Sequence, residues 1–175
     1  AYRAAGVAPE TVGYVEGHGI GVPAADRAEL RALRAAFPKP TDGGRRVLGA
    51  ASALIGHAMP AAGMAGLIKA ALCLHHRMAP PQPGADRPRR ALGEGGFELL
   101  PSARPWIHGD ASPRRAGVNA FGFAGINAHA VLEEHAASAD GVTPGALATW
   151  PSEAVLLSAA DRPRLADRAR RLAAR

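Results

Sequence analysis

A short β-type run that ends beside a glycine-flanked histidine and gives way to a helix occurs twice in succession in this chain. The first copy runs Val-Gly-Tyr-Val-Glu-Gly over 12–17, then turns through Gly17-His18-Gly19-Ile20-Gly21. Its helix starts near Pro23, carries an apolar stripe at Leu30, Leu33 and Phe37, and is stopped by Pro38 and Pro40. Asp26 and Glu29 stand at capping-box spacing, and helix capping is preferred for them over a catalytic carboxylate pair. The second copy has a strand over 46–51, the turn Leu54-Ile55-Gly56-His57, and a helix over 60–76 with Pro60 at its start. That helix is apolar round most of its circumference, which predicts burial. Its Ala61, Ala62, Gly63, Ala65 and Gly66 let neighbouring backbones come close.

Two such units in a row predict an α/β fold, a parallel-rich sheet with helices packed on it. Residues 79–115 are rich in Pro, Gly and Arg and read as long surface connections, with one extended piece at 104–107. Strands over 116–123 and 128–133, joined by the tight turn Ala124-Gly125-Ile126-Asn127, predict an antiparallel hairpin. Residues 136–152 have linker composition. A new element follows over 153–175: a strand at 154–158, then a helix capped by Asp161. The chain has no initiator Met and no signal peptide, and it stops inside a helical pattern, so it reads as a piece of a longer protein.

In sheets of this kind the loops after the carboxyl ends of strands converge on ligand sites. His18 and His57, placed alike in successive units, are therefore expected to face one cleft. At neutral pH an ordinary imidazole is mostly neutral and donates one N–H. Two such donors aimed at one oxygen would stabilise an enolate or a tetrahedral intermediate. A single loop histidine is more often a local hydrogen-bonding group; the duplication and the flanking glycines shift that balance.

Other chemistries are disfavoured. Cys73 is the sole cysteine, which leaves no internal disulfide and suits a reducing cytoplasm. It sits between Leu72 and Leu74, where a small buried thiol is the default. His75 and His76 are adjacent on a helix and do not face each other, so no metal is expected. Gly17, Gly19 and Gly21 lack the spacing of a dinucleotide loop. The formal charge of +6 is almost all Arg, scattered or paired, without interleaved aromatics, which argues against nucleic acid. No apolar run reaches the ~20 residues of a membrane span.

Three segments resemble the signatures of β-ketoacyl synthases. Glu16-Gly17-His18-Gly19-Ile20-Gly21-Val22 with Asp26 and Glu29 resembles E-x-H-G-T-G-T…D-x-x-E. Ile55-Gly56-His57 through Gly63, Gly66 and Lys69 resembles K-S-x-I-G-H…A-A-G-x-x-G-x-x-K. Asn119-Ala120-Phe121-Gly122-Phe123-Ala124-Gly125-Ile126-Asn127-Ala128-His129 resembles S-F-G-F-G-G-x-N-A-H. The wording around Met59–Gly66, His75-His76-Arg77 and Val118–Phe121 is similar to type I iterative polyketide synthases of the enediyne or polyunsaturated-fatty-acid kind. The resemblance implies a thiolase-like fold, of which 1–135 would be the C-terminal half of the ketosynthase. Residues 153–175 would begin the linker to a downstream acyltransferase domain.

It also implies an acyltransferase activity, decarboxylative Claisen condensation at a Cys-His-His site. The nucleophilic cysteine would lie in the N-terminal half of the same ketosynthase, not at Cys73. His18 and His57 would take the two catalytic histidine roles. Gly122, Phe123 and Ala124 would line the acyl entrance or supply an oxyanion hole, and His129 is as readily structural as functional. No cofactor is expected to be bound directly; the substrate would ride on the phosphopantetheine of an acyl carrier protein. A homodimer is expected of the full-length enzyme, and the piece alone is expected to be inactive.

Several positions depart from the family pattern. Ser52 stands where the family has the lysine that supports the histidines, and Ile20 and Val22 replace threonines that would contact the pantetheine arm. A glycine of the third motif is Ala124. These departures keep open an alternative, a degenerate module that retains the fold for structure or chain-length control without condensing. On that alternative, lysine at position 52 would raise activity.

Overall fold

The computed structural model describes residues 1–39, 44–88, 90–108, 112–135 and 157–173. Its centre is a five-stranded mixed sheet built from β1 (Val12–Glu16), β2 (Arg46–Gly49), β4 (Phe97–Glu98), β6 (Arg115–Phe121) and β7 (Asn127–Glu133). The order is β4-β2-β1-β6-β7. β1 pairs in parallel with both β2 and β6, and β2 with β4; β6 and β7 form the antiparallel hairpin expected from the sequence. A second, two-stranded sheet joins β3 (Met78–Ala79) to β5 (Arg104–Pro105).

β1 is central and covered on both faces, so it reads Val-Gly-Tyr-Val-Glu with no polar alternation. Its register with β6 shifts between Val12 and Tyr14, and those two side chains join different clusters. On one face Val12 and Val15 meet Leu33 of α2 (Pro23–Ala36) and Phe37 just beyond its end, together with Leu92 and Phe97. On the other, Tyr14, Val47, Ala116 and Val118 meet Ala70, Cys73 and Leu74 of α4 (Ala62–His76). Each fully buried Phe of the first cluster contributes about 2–3 kcal/mol by area removed from water. The close approach of α4 depends on glycine: a Cβ at Gly63 would lie 2.8 Å from the Ala120 Cβ.

Buried polar groups pin the two crossover units together. Glu16, at the end of β1, accepts the Tyr14 hydroxyl and the Ala51 N–H, each at 2.5 Å, and pairs with Lys69 of α4 at 3.0 Å. Arg46 is 2 % exposed, donates Nε to the Val12 carbonyl at 2.7 Å and lies over the Phe37 ring. Half of the Arg45-Arg46 pair is thus a core group and not surface charge.

Several expectations are corrected. Helix α4 is buried on one face only; Met64, Ile68 and Leu72 opposite are each at least half exposed. All-round apolarity shows that two faces can be covered, not that both are. The turn before His57 contains a one-turn helix, α3 (Ser52–Ile55), and a 3-10 turn, Met59–Ala61, precedes α4. Residues 79–115 are more than surface connections. They supply buried Leu92, Phe97 and Leu100, the edge strand β4 and the short helix α5 (Arg90–Glu94). Gln82 from this stretch donates to and accepts from the backbone of Ala50 at 3.3 and 2.9 Å. Its apolar groups are too short a run to show a period.

An N-terminal turn, α1 (Tyr2–Ala5), was not anticipated; its Tyr2 ring packs edge-on against Phe37. The helix after Asp161 is present as α6 (Arg162–Ala173), with Asp161 Oδ1 accepting the Arg164 N–H at 2.9 Å. The linker at 136–152 lies outside the described residues. Of the strand expected at 154–158 only 157 and 158 are described, and they are irregular. Among the described residues, no helix is long and apolar enough to cross a membrane.

Candidate active site

His18 leaves the carboxyl end of β1, and His57 follows α3 after β2. Because β1 and β2 are parallel neighbours, both loops emerge at the same end of the sheet. The two imidazoles meet there, with ring centroids 5.2 Å apart and planes at 88°. The ring of Phe121, at the end of β6, stands 5.5 Å from that of His18. Burial is the largest influence on His18 and lowers its pKa; the Glu29 carboxylate opposes this and the neighbouring His57 adds to it. Both factors that lower it favour the neutral, N–H-donating ring at neutral pH.

The His18 turn is fixed from two sides. Glu29 of α2 turns inward: Oε1 accepts the His18 N–H at 2.7 Å and Oε2 accepts the Gly19 N–H at 2.9 Å. The same Oε1 accepts Nδ2 of Asn119 at 2.8 Å. From the opposite side, the Ser52 hydroxyl reaches the carbonyls of His18 and Gly19 at 3.1 and 2.5 Å. Capping is therefore corrected for Glu29. The N-cap of α2 is Val22, without a side-chain cap, and Asp26 Oδ1 accepts from Gly21 at 3.2 Å. A carboxylate at this spacing can reach back to its own helix or across to another loop, and the sequence alone does not choose.

The remaining positions are distributed around this pair. Ile20 is partly buried and Val22 is half exposed on the loop beyond His18. Gly122 donates its N–H to the Ile126 carbonyl at 2.7 Å, closing the turn between β6 and β7. Phe123 and Ile126 project from it, 78 % and 74 % exposed. The left-handed conformation in this turn falls on Gly125, with φ 80°. Ala124 lies in the same 3-10 turn. Cys73 is buried within α4, and burial pushes its thiol up to about 11, the opposite of an activated nucleophile. A cavity of about 310 Å³ lies behind the His18 turn, lined by Gly19, Glu29, Leu33, Ala50 and Leu99; neither imidazole lines it.

Residues 1–86 match the family described as "Beta-ketoacyl synthase, C-terminal domain". Residues 1–86 carry a β-ketoacyl synthase C-terminal domain. A polyunsaturated fatty acid synthase polypeptide of Thraustochytrium is 42 % identical over 77 % of this chain and 5 % of its own length. The polyketide synthase ThaG of Burkholderia thailandensis is 43 % identical over 79 % of this chain and 3 % of its own. The oxazolomycin ketosynthase domain OzmH KS7 of Streptomyces albus superposes with a TM-score of 0.71 at 36 % identity, over 98 % of this chain and 30 % of that one. The fold is accordingly thiolase-like. The chain spans a small part of the curated relatives and under a third of the solved ketosynthase.

Sequence reasoning missed three neighbours of this histidine pair: Glu29 as a loop anchor, Asn119 as the partner of that carboxylate, and Phe121 as a ring neighbour. Glu29 was visible as part of D-x-x-E. Asn119 lies 90 residues from its carboxylate partner, and no local pattern signals such a contact.

Proposed function

We propose that this chain supplies the two-histidine half of a ketosynthase that performs decarboxylative Claisen condensation in polyketide or fatty-acid assembly. The observation that carries the reading is the pair of imidazoles 5.2 Å apart, brought together by successive crossover units. An acyl group is held as a thioester on a cysteine of the N-terminal half of the enzyme. A malonyl-type unit arrives on the phosphopantetheine of an acyl carrier protein. Its carboxylate C–C bond breaks, CO2 leaves, and the electron pair becomes an enolate. The enolate carbon attacks the acyl carbonyl, and the cysteine thiolate departs.

His18 and His57 each donate an N–H to the thioester oxygen on which the enolate charge grows. The backbone N–H of Phe123 is assigned to the oxygen of the acyl group. Gly122 and Ala124 hold that turn. Ile20 and Val22 give the pantetheine arm apolar contact where hydroxyls would give hydrogen bonds. Ser52 keeps a supporting role by another bond: it ties α3 to the His18 turn through backbone carbonyls. The exposed apolar face of α4, around Met64, Ile68 and Leu72, is where the N-terminal half packs. An acyltransferase domain downstream and a homodimeric whole complete the assembly.

The test is product formation by the full-length protein from acyl- and malonyl-carrier protein, followed by mass spectrometry. A β-ketoacyl product with wild type, and none with His57→Ala, is expected. A folded wild type that forms no such product contradicts the reading.

A further inference from the structure

The amide of Asn119 touches two groups with opposite demands. Nδ2 lies 2.8 Å from the Glu29 carboxylate, and Oδ1 lies 2.7 Å from Nδ1 of His129. A carboxylate only accepts, which fixes the amide nitrogen toward Glu29. The amide oxygen also only accepts, so the His129 proton belongs on Nδ1. The other ring nitrogen, Nε2, is then a lone pair, and it faces the Tyr2 hydroxyl at 2.7 Å. One direction of donation therefore runs from Tyr2 through His129 and Asn119 to Glu29, which also takes the N–H groups of His18 and Gly19.

The geometry points to His129 as a positioning residue for His18, acting through Asn119 and Glu29. It rests on the ketosynthase reading for its effect on turnover, though not for its effect on the loop. Three stretches distant in sequence meet in the chain: α1, α2 and the β6–β7 hairpin. The space for it is reserved by the backbone, since a Cβ at Gly117 would collide with the Tyr2 hydroxyl and come within 3.0 Å of the His129 ring. Burial lowers the His129 pKa, which favours the neutral ring whose Nε2 lone pair accepts the Tyr2 hydroxyl while Nδ1–H donates to Asn119. Without that N–H, the Asn119 oxygen is an unmet acceptor, and the amide is free to turn its oxygen on Glu29. The carboxylate then loses one of three donors and its aim on the His18 turn.

The test uses the full-length protein with two readouts. Hydrogen exchange reports the His18 and Gly19 amides, and condensation kinetics report turnover. His129→Leu keeps bulk and removes both ring nitrogens. It is expected to speed exchange at 18–19 with global protection unchanged. It should also lower kcat about tenfold, the order expected for one unmade bond to a buried polar group. KM for the malonyl carrier protein stays within about twofold, since the pantetheine contacts are untouched. His129→Asn places an N–H near the Nδ1 position and restores both readouts. If leucine at 129 prevents folding, Tyr2→Phe carries the test, because it frees the ring to move its proton to Nε2; faster exchange at 18–19 is expected. Unchanged exchange in a folded His129→Leu or Tyr2→Phe protein, or an asparagine variant as impaired as leucine, overturns the proposal. Faster exchange in an enzyme whose wild type does not condense supports the relay and overturns the ketosynthase reading instead.

Discussion

The turns at His18 and His57 come from one sequence pattern, yet the structure finishes only the first. The His18 turn is bonded by Glu29 of α2 and Ser52 of α3, with Asn119 of β6 behind the carboxylate. His57 is exposed, and its imidazole makes no hydrogen bond to a described residue. Its flanks hold left-handed backbone at Gly56 (φ 80°) and at Met59 (φ 53°), the latter costly for a residue with a Cβ. Beside it Leu54 and Ile55 are exposed. One histidine is preorganised by this chain's own side chains. On the proposed reading the other waits for the surface that covers α4. A site split in this way keeps half of its geometry before assembly and gains the rest on assembly.

The strongest way to break that contrast is to remove the imidazoles themselves. In the full-length protein, His18→Ala and His57→Ala each lower the condensation rate by about 100-fold or more, the scale for losing one oxyanion donor. The contrast predicts that only stability separates them. His57→Ala changes the unfolding free energy by less than about 0.5 kcal/mol, as for exposed positions generally, checked by chemical denaturation.

Glu29→Ala comes next. It leaves two backbone N–H groups and the Asn119 amide without an acceptor, at about 3 kcal/mol or more in the same denaturation experiment. A loss under about 1 kcal/mol would show that the His18 turn is held by something else. Ser52→Ala removes one hydroxyl that bonds carbonyls and costs about 1 kcal/mol. An equal loss on replacing Ala53 by glycine would remove the specificity from that claim.

The smallest effect is a pH dependence. Burial lowers the pKa of both His18 and His129 in the folded protein. The unfolded chain then binds protons that the folded one refuses. Stability is therefore level above the ordinary imidazole value of about 6.5 and falls as pH drops below it. Denaturation midpoints between pH 7.5 and 5 check this. His129→Asn flattens part of the slope.

What the sequence made legible follows from what repeats. Two strand–turn–helix units imply parallel neighbours, and parallel neighbours deliver His18 and His57 to the same end of the sheet. Alternating apolar residues around a tight turn gave the β6–β7 hairpin. The Glu29 contact was not legible, because one carboxylate spacing serves both a helix cap and a loop clamp. The Asn119–His129–Tyr2 chain was not legible either, because Tyr2 and His129 stand 127 residues apart. For α4, periodicity showed how apolar each face is and could not say which face the sheet takes. In 79–115 the abundant Pro and Gly hid Phe97 and Leu100, which close the core.

The central claim is that both imidazoles serve one oxygen. The most direct measurement is a crystal structure of the full-length enzyme holding a malonyl thioester analogue that cannot lose CO2. The account predicts a ring nitrogen of His18 and one of His57 both within about 3.2 Å of the thioester oxygen. An analogue bound in the acyl pocket with either ring turned away from that oxygen would contradict it.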